Sequence, residues 1–125
     1  VTRRHQLGKR YDELLKDLPI ILPYRNPANY SGFHLYPIQL TADSGKTRKQ
    51  VFDSLRAQNI GVNVHYIPVH TQPYYAKLGF RQGDFPHAER YYAQAISLPL
   101  YYDLSEASQA QVVDALKISL AQALA

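Results

Sequence analysis

The sequence contains no cysteine, no methionine and no tryptophan. Without a thiol it has no disulfide framework, no cysteine nucleophile and no cysteine-ligated metal site. Long apolar runs are missing as well. Nothing approaches the roughly 20 residues that a membrane-spanning helix needs, and no charged head followed by an apolar middle marks a signal peptide. Neither a transmembrane nor a secreted chain is expected, and cytoplasm is the default compartment. The six glycines are scattered, with no phosphate-cradling GxGxxG or P-loop spacing. No serine stands in a nucleophile-elbow context. The missing methionine, with an opening on Val1 that runs straight into a helical pattern, fits a chain cut from something longer.

What is present makes one domain. The chain has 125 residues, 46% of them hydrophobic and 19% charged, enough to bury a core and too weakly charged for a disordered tail. The net charge of +4 raises the question of a polyanionic partner. Its basic residues gather at Arg3, Arg4, Lys9 and Arg10 and again at Lys46, Arg48 and Lys49. Neither group is interleaved with aromatics, and solvated helix faces account for both; phosphate groups of a ligand or an acidic subunit are the alternative. Tyrosine supplies eleven of the fifteen aromatics, seven of them between Tyr66 and Tyr102. Its apolar ring and polar tip suit pockets and interfaces as well as cores.

Periodicity sets out the elements. Leu7, Tyr11, Leu14, Leu15 and Leu18 recur at helical spacing up to Pro19, with Asp12 and Glu13 read as facing solvent. Ile20 to Leu22 is a short strand, Arg25 to Gly32 a loop, and Phe33 to Leu40 a second strand that carries His34 half-buried. Ser44 is placed as the cap of a helix holding Val51, Phe52 and Leu55, which stops near Asn59–Gly61. Val62 to Ile67 alternates as a third strand. Pro68 to Pro86 is irregular, with one helical turn around Tyr74–Leu78. Pro86 suits a first helical position, and Ala88, Tyr91, Tyr92 and Ala95 would form that helix's inner face. Ile96 to Leu98 is a fourth strand. Ser105 caps a last helix with a stripe of Gln109, Val113, Leu116, Leu120 and Leu124. The expected fold is α+β, a small two-layer domain over residues 1–125, with a short, mostly antiparallel sheet and helices packed on one face.

The densest polar and aromatic stretch, Asn63 to Tyr75, reads NVHYIPVHTQPYY. Two histidines, three tyrosines, an asparagine and a glutamine sit among prolines that restrict the backbone, so their polar tips lose less entropy on meeting a ligand. A structural loop with tyrosine as filler would look similar. His65 and His70, five residues apart with no nearby carboxylate before Asp84, do not make the donor set of a metal site; as hydrogen-bonding or proton-moving groups they fit better. No complete active site can be assembled from these residues, and the chain reads as part of one.

The run GVNVHYIPVHTQPYY, followed by KLGF and GDFPHAERYYAQAISLPLYYDLSE, resembles the carboxyl-terminal domain of DegT-type sugar aminotransferases, and TRRHQLGKRYDELL and SGFHLYPIQL extend the likeness over nearly the whole chain. The nearest variant is the UDP-sugar 4-aminotransferase of pseudaminic-acid synthesis. The resemblance implies the small domain of the aspartate-aminotransferase fold, in a homodimer that moves an amino group, usually from glutamate, to a UDP-linked 4-keto-6-deoxy sugar. Pyridoxal phosphate would be held as a Schiff base by a lysine of a larger domain. None of Lys9, Lys16, Lys46, Lys49, Lys77 and Lys117 stands in a segment like that one, so this chain alone is expected to be inactive. By matching motif, His65, Tyr66, His70 and Gln72 face the nucleotide-sugar, Tyr75 stacks or packs, and His34 supports the site from its strand. The competing reading is a stand-alone binding module for RNA or protein. RNA-binding sheets of this type carry aromatics at strand centres, whereas these gather in loops and helices.

Overall fold

The computed structural model describes residues 1–121. Helix α1 (Thr2–Leu15) buries Leu7, Tyr11 and Leu15, the stripe its spacing predicts. Strand β1 (Ile20–Ile21) follows Pro19, and β2 (Tyr36–Leu40) pairs with it antiparallel, Ile20 opposite Leu40. β2 starts three residues later than expected because Phe33 is left-handed, with φ of 51°, which no strand accommodates. The turn lets the Phe33 ring bury against α1 while His34, just past it, is exposed rather than half-buried.

Helix α2 (Arg48–Ala57) is capped by Thr47, not Ser44. Thr47 Oγ accepts from Gln50 N and Gln50 Oε1 from Thr47 N, a reciprocal box that satisfies two donors at once. Ser44 instead closes a turn of 3₁₀ helix over Ala42–Ser44. The helix stops at Asn59, whose φ of 63° turns the chain before Gly61 is reached. The expected third strand contracts to a single antiparallel bridge between Asn63 and Ser97.

Two short helices, α3 (Pro73–Lys77) and α4 (Pro86–Gln94), each start on proline. No residue of α4 is buried, so the expected inner face of Ala88, Tyr91 and Tyr92 is not a core face; Ala88 is exposed. Ala95 belongs to β3 (Ala95–Leu98), which pairs antiparallel with β2: Tyr36 opposite Leu98, Ile38 opposite Ile96. Helix α5 (Glu106–Ala121) begins where Ser105 Oγ accepts from Ser108 N. Leu124 of its expected stripe lies outside the described residues.

The sheet is three antiparallel strands in the order β1-β2-β3. Directly paired residues share a face, so Tyr36, Ile38 and Leu40 join Ile96 and Leu98 on one side. All are at most 4% exposed, and they meet Val51 and Leu55 of α2, Leu7, Tyr11 and Leu15 of α1, and Val112, Val113 and Leu116 of α5. Each such side chain contributes about 1.5–3 kcal/mol of burial. Asp12, expected in solvent, is half-buried: it accepts from Tyr36 Oη at 2.7 Å and pairs with Arg25. Part of the first basic group is likewise structural, Arg3 and Arg10 donating to the backbone and side chains around the start of α5.

Candidate functional site

The face of the sheet opposite this core carries Pro37, Gln39, Ala95 and Ser97, and from its β3 edge the polar stretch departs. Ser97 N donates to Asn63 O at 2.8 Å and Asn63 N to Ser97 O at 3.3 Å, fixing the root of an arm that runs to α3. Two residues on, His65 Nδ1 lies 2.8 Å from Ser97 Oγ. The His65 ring meets Tyr66 edge to face at 4.6 Å, and Tyr66 is 72% exposed. A polar group is thus anchored on the sheet beside a phenol that reaches into solvent.

Further along, a 3₁₀ turn over Val69–Thr71 turns His70 inward until it is only 7% exposed. Its Nε2 is 3.4 Å from Glu89 Oε2, at ion-pair distance but without hydrogen-bond alignment. The Glu89 carboxylate accepts from Gly83 N at 2.8 Å and Phe85 N at 3.2 Å, tying the 80–85 loop to α4. Gly83 is left-handed, with φ of 96°. His70, Tyr75, Phe80, Phe85, Val69 and Ala88 line a largely apolar cavity of about 390 Å³. Across Glu89 a second cleft of similar size is bordered by Thr47, Arg48, Thr71, Gln82 and Tyr92; the Arg48 guanidinium donates to Tyr92 O and lies over its ring at 4.4 Å.

The structure therefore brings His65 together with Tyr66, and His70 together with Tyr75, on one arm. Gln72 is exposed at the entry to α3. His34 is exposed next to the left-handed Phe33, and nothing joins it to the arm. Sequence reasoning missed Ser97, Glu89, Phe80 and Phe85. Ser97 carried a signal, a lone hydroxyl inside the apolar run Ala95–Leu98; Glu89 and the two phenylalanines carried none.

Of the sheet's aromatics only Tyr36 is present, and it is fully buried, so the described strands offer no stacking platform for bases. The described residues contain no group of three or more histidine, cysteine, aspartate or glutamate side chains able to hold a metal, and no helix long and apolar enough to cross a membrane.

Residues 1–117 match the family model of the DegT/DnrJ/EryC1/StrS aminotransferases. The spore coat polysaccharide biosynthesis protein SpsC of Bacillus subtilis is 36% identical over 92% of this chain, which spans 31% of that protein. The crystal structure of S. venezuelae DesV in complex with a ketimine intermediate superposes with a TM-score of 0.87 at 30% identity, covering 98% of this chain and 32% of DesV. Helicobacter pylori PseC, an aminotransferase of pseudaminic-acid biosynthesis, gives 0.82 at 27% identity, over 95% of this chain and 32% of PseC. The chain thus spans about a third of the relatives it matches. The antiparallel sheet with its packed helices matches the fold of these aminotransferases, and this chain belongs to the DegT/DnrJ/EryC1/StrS aminotransferase family.

Proposed function

We propose that this chain is the substrate-closing domain of a pyridoxal-phosphate-dependent aminotransferase that transfers an amino group, from glutamate, to a UDP-linked 4-keto-6-deoxy sugar in surface-glycan synthesis. The observation that carries the reading is the Asn63–Tyr75 arm: rooted in the buried strand β3 yet exposing Tyr66, with His65 fixed beside it. In this reading His65 and Tyr66 hydrogen-bond sugar hydroxyls or diphosphate oxygens. His70 and Tyr75 line the pocket behind them, Gln72 offers its exposed amide at the entry to α3, and His34, which nothing joins to the arm, is left out of the site. The match to PseC supports the 4-amino sugar of pseudaminic-acid synthesis, and the match to SpsC a polysaccharide destination. The enzyme works as a cytoplasmic homodimer.

The chain's own residues do not fit a covalent pyridoxal-phosphate site. A Schiff-base lysine is activated by desolvation in a pocket. Here Lys9, Lys16, Lys49, Lys77 and Lys117 are exposed, Lys46 is half-buried but already partnered, and none lines the arm cavity. The cofactor amine therefore belongs to the remainder of the parent enzyme, and this domain binds, orients and shields. Pyridoxal phosphate added to the isolated chain should leave no Schiff-base absorbance after dialysis; a stable adduct would place the lysine here instead. In the parent enzyme Tyr66→Phe should raise KM for the nucleotide-sugar by about fivefold or more, the loss of one hydrogen bond of about 1 kcal/mol, with little change in kcat. An unchanged KM would remove Tyr66 from the substrate.

A further inference from the structure

Ser97 interrupts the otherwise apolar strand Ala95–Leu98 and is only 4% exposed. Both of its backbone polar groups are committed to Asn63, and its hydroxyl has one partner among the described residues, His65 Nδ1 at 2.8 Å. One buried strand residue therefore fixes the arm at three points.

The contact can be made in two ways, and they differ in what they leave unpaired. If Nδ1 carried the imidazole proton, it would donate to Oγ, and the serine hydrogen would be stranded at a buried site with no acceptor among the described residues. A buried donor without a partner bears its full desolvation penalty. If instead Ser97 donates to a bare Nδ1, the hydroxyl is satisfied, and the imidazole proton sits on Nε2. That nitrogen lies on the far side of the ring and has no partner among the described residues. The bond made by one ring nitrogen thus sets the state of the other.

We infer that Ser97 is a positioning residue: by donating to Nδ1 it locks His65 as the neutral Nε2–H tautomer and holds that N–H out as a hydrogen-bond donor for an oxygen-rich ligand group, a hydroxyl or a phosphate. The service to substrate rests on the function proposed above; the tautomer does not. A histidine fixed in this way presents an N–H donor whose ring loses little rotational freedom when a ligand arrives.

Long-range proton–nitrogen spectra of the labelled 125-residue chain, recorded above the histidine titration range, read the tautomer directly. His65 Nδ1 should resonate as a bare nitrogen and Nε2 as a protonated one. In Ser97→Ala the two should move toward the averaged positions of exchanging tautomers, and Ser97→Thr, which keeps the hydroxyl, should restore the native pattern. A protonated Nδ1 in the native chain, or a Ser97→Ala spectrum identical to the native one, overturns the inference. The native spectrum alone decides the tautomer if Ser97→Ala does not fold. In the aminotransferase that carries this domain, Ser97→Ala should raise KM several-fold in the native background and leave it unchanged when His65 is already alanine. Additive effects would overturn the positioning role. A His65→Ala enzyme with native KM would count instead against the substrate reading, with the tautomer settled separately by the spectra.

Discussion

Tyr11 and Tyr36 lie beneath the helices at 0% exposure, their rings 4.7 Å apart, each hydroxyl donated to a fixed acceptor, Pro99 O at 2.8 Å and Asp12 Oδ1 at 2.7 Å. Tyr66 and Tyr74 on the arm side are 72% and 67% exposed. The same side chain fills a core where its tip is satisfied internally and equips a binding surface where its tip is left for something else. The two sides of the sheet divide the work accordingly. One face and three helices hold the fold together, and the other face anchors at Ser97 a short polar arm that buries His70 and leaves Tyr66 and Tyr74 to solvent.

Alkaline titration should separate the two sides most strongly. Burial pushes the Tyr11 and Tyr36 phenols well above the ordinary value near 10, and the Asp12 carboxylate beside Tyr36 adds to the rise there. A raised folded-state pKa means that the native state holds the proton more tightly. Its stabilisation is complete below pH 10 and is lost as pH climbs from there toward the folded value. Exposed tyrosines should ionise first, and the two buried ones together with unfolding, seen as a late cooperative step in phenolate absorbance. One smooth titration of all eleven would contradict the division.

Truncation should sharpen the same contrast. Ile96→Ala on the helix-covered face is expected to cost about 2–5 kcal/mol in urea unfolding. Tyr66→Ala on the arm is expected to change stability by no more than about 0.5 kcal/mol. Similar costs for both would make the arm part of the core.

A smaller effect is expected at Gly8, where α1 meets the loop before β2. A Cβ there would stand 2.3 Å from Phe33 Cε1 and 2.8 Å from an Arg25 guanidinium nitrogen. Alanine improves helix propensity by about 1 kcal/mol, while overpacking a buried ring costs about 1–3 kcal/mol. Phe33 is 6% exposed and cannot swing out without exposing apolar surface, so Gly8→Ala should lower Tm. A higher Tm would show that the Phe33 ring yields freely.

The helix-covered side was the legible one, because its elements announce themselves locally: the α1 stripe and Ser105 capping α5. The misread positions are those where two local signals compete. Ser44 and Thr47 are both good caps, and only the reciprocal bond with Gln50 selects Thr47. Alternation ran on through Phe33 and His34, but a positive φ, which propensity does not disfavour strongly enough to reveal, starts β2 at Tyr36. The arm's composition was readable as a ligand-facing stretch, whereas its anchoring was not. Ser97 and His65 are 32 residues apart, Asn63 and its bridge partner Ser97 slightly further, and pairing across such distance depends on the register of β3. His70 shows the same limit: its type suggested a ligand contact, and tertiary packing set it 7% exposed against Glu89.

The most direct measurement is a crystal structure of the whole aminotransferase with a UDP-linked sugar bound. It should place ligand oxygens within about 3.2 Å of both His65 Nε2 and Tyr66 Oη. A nucleotide-sugar bound with both of those atoms turned away from it would contradict the assignment of this arm to the substrate.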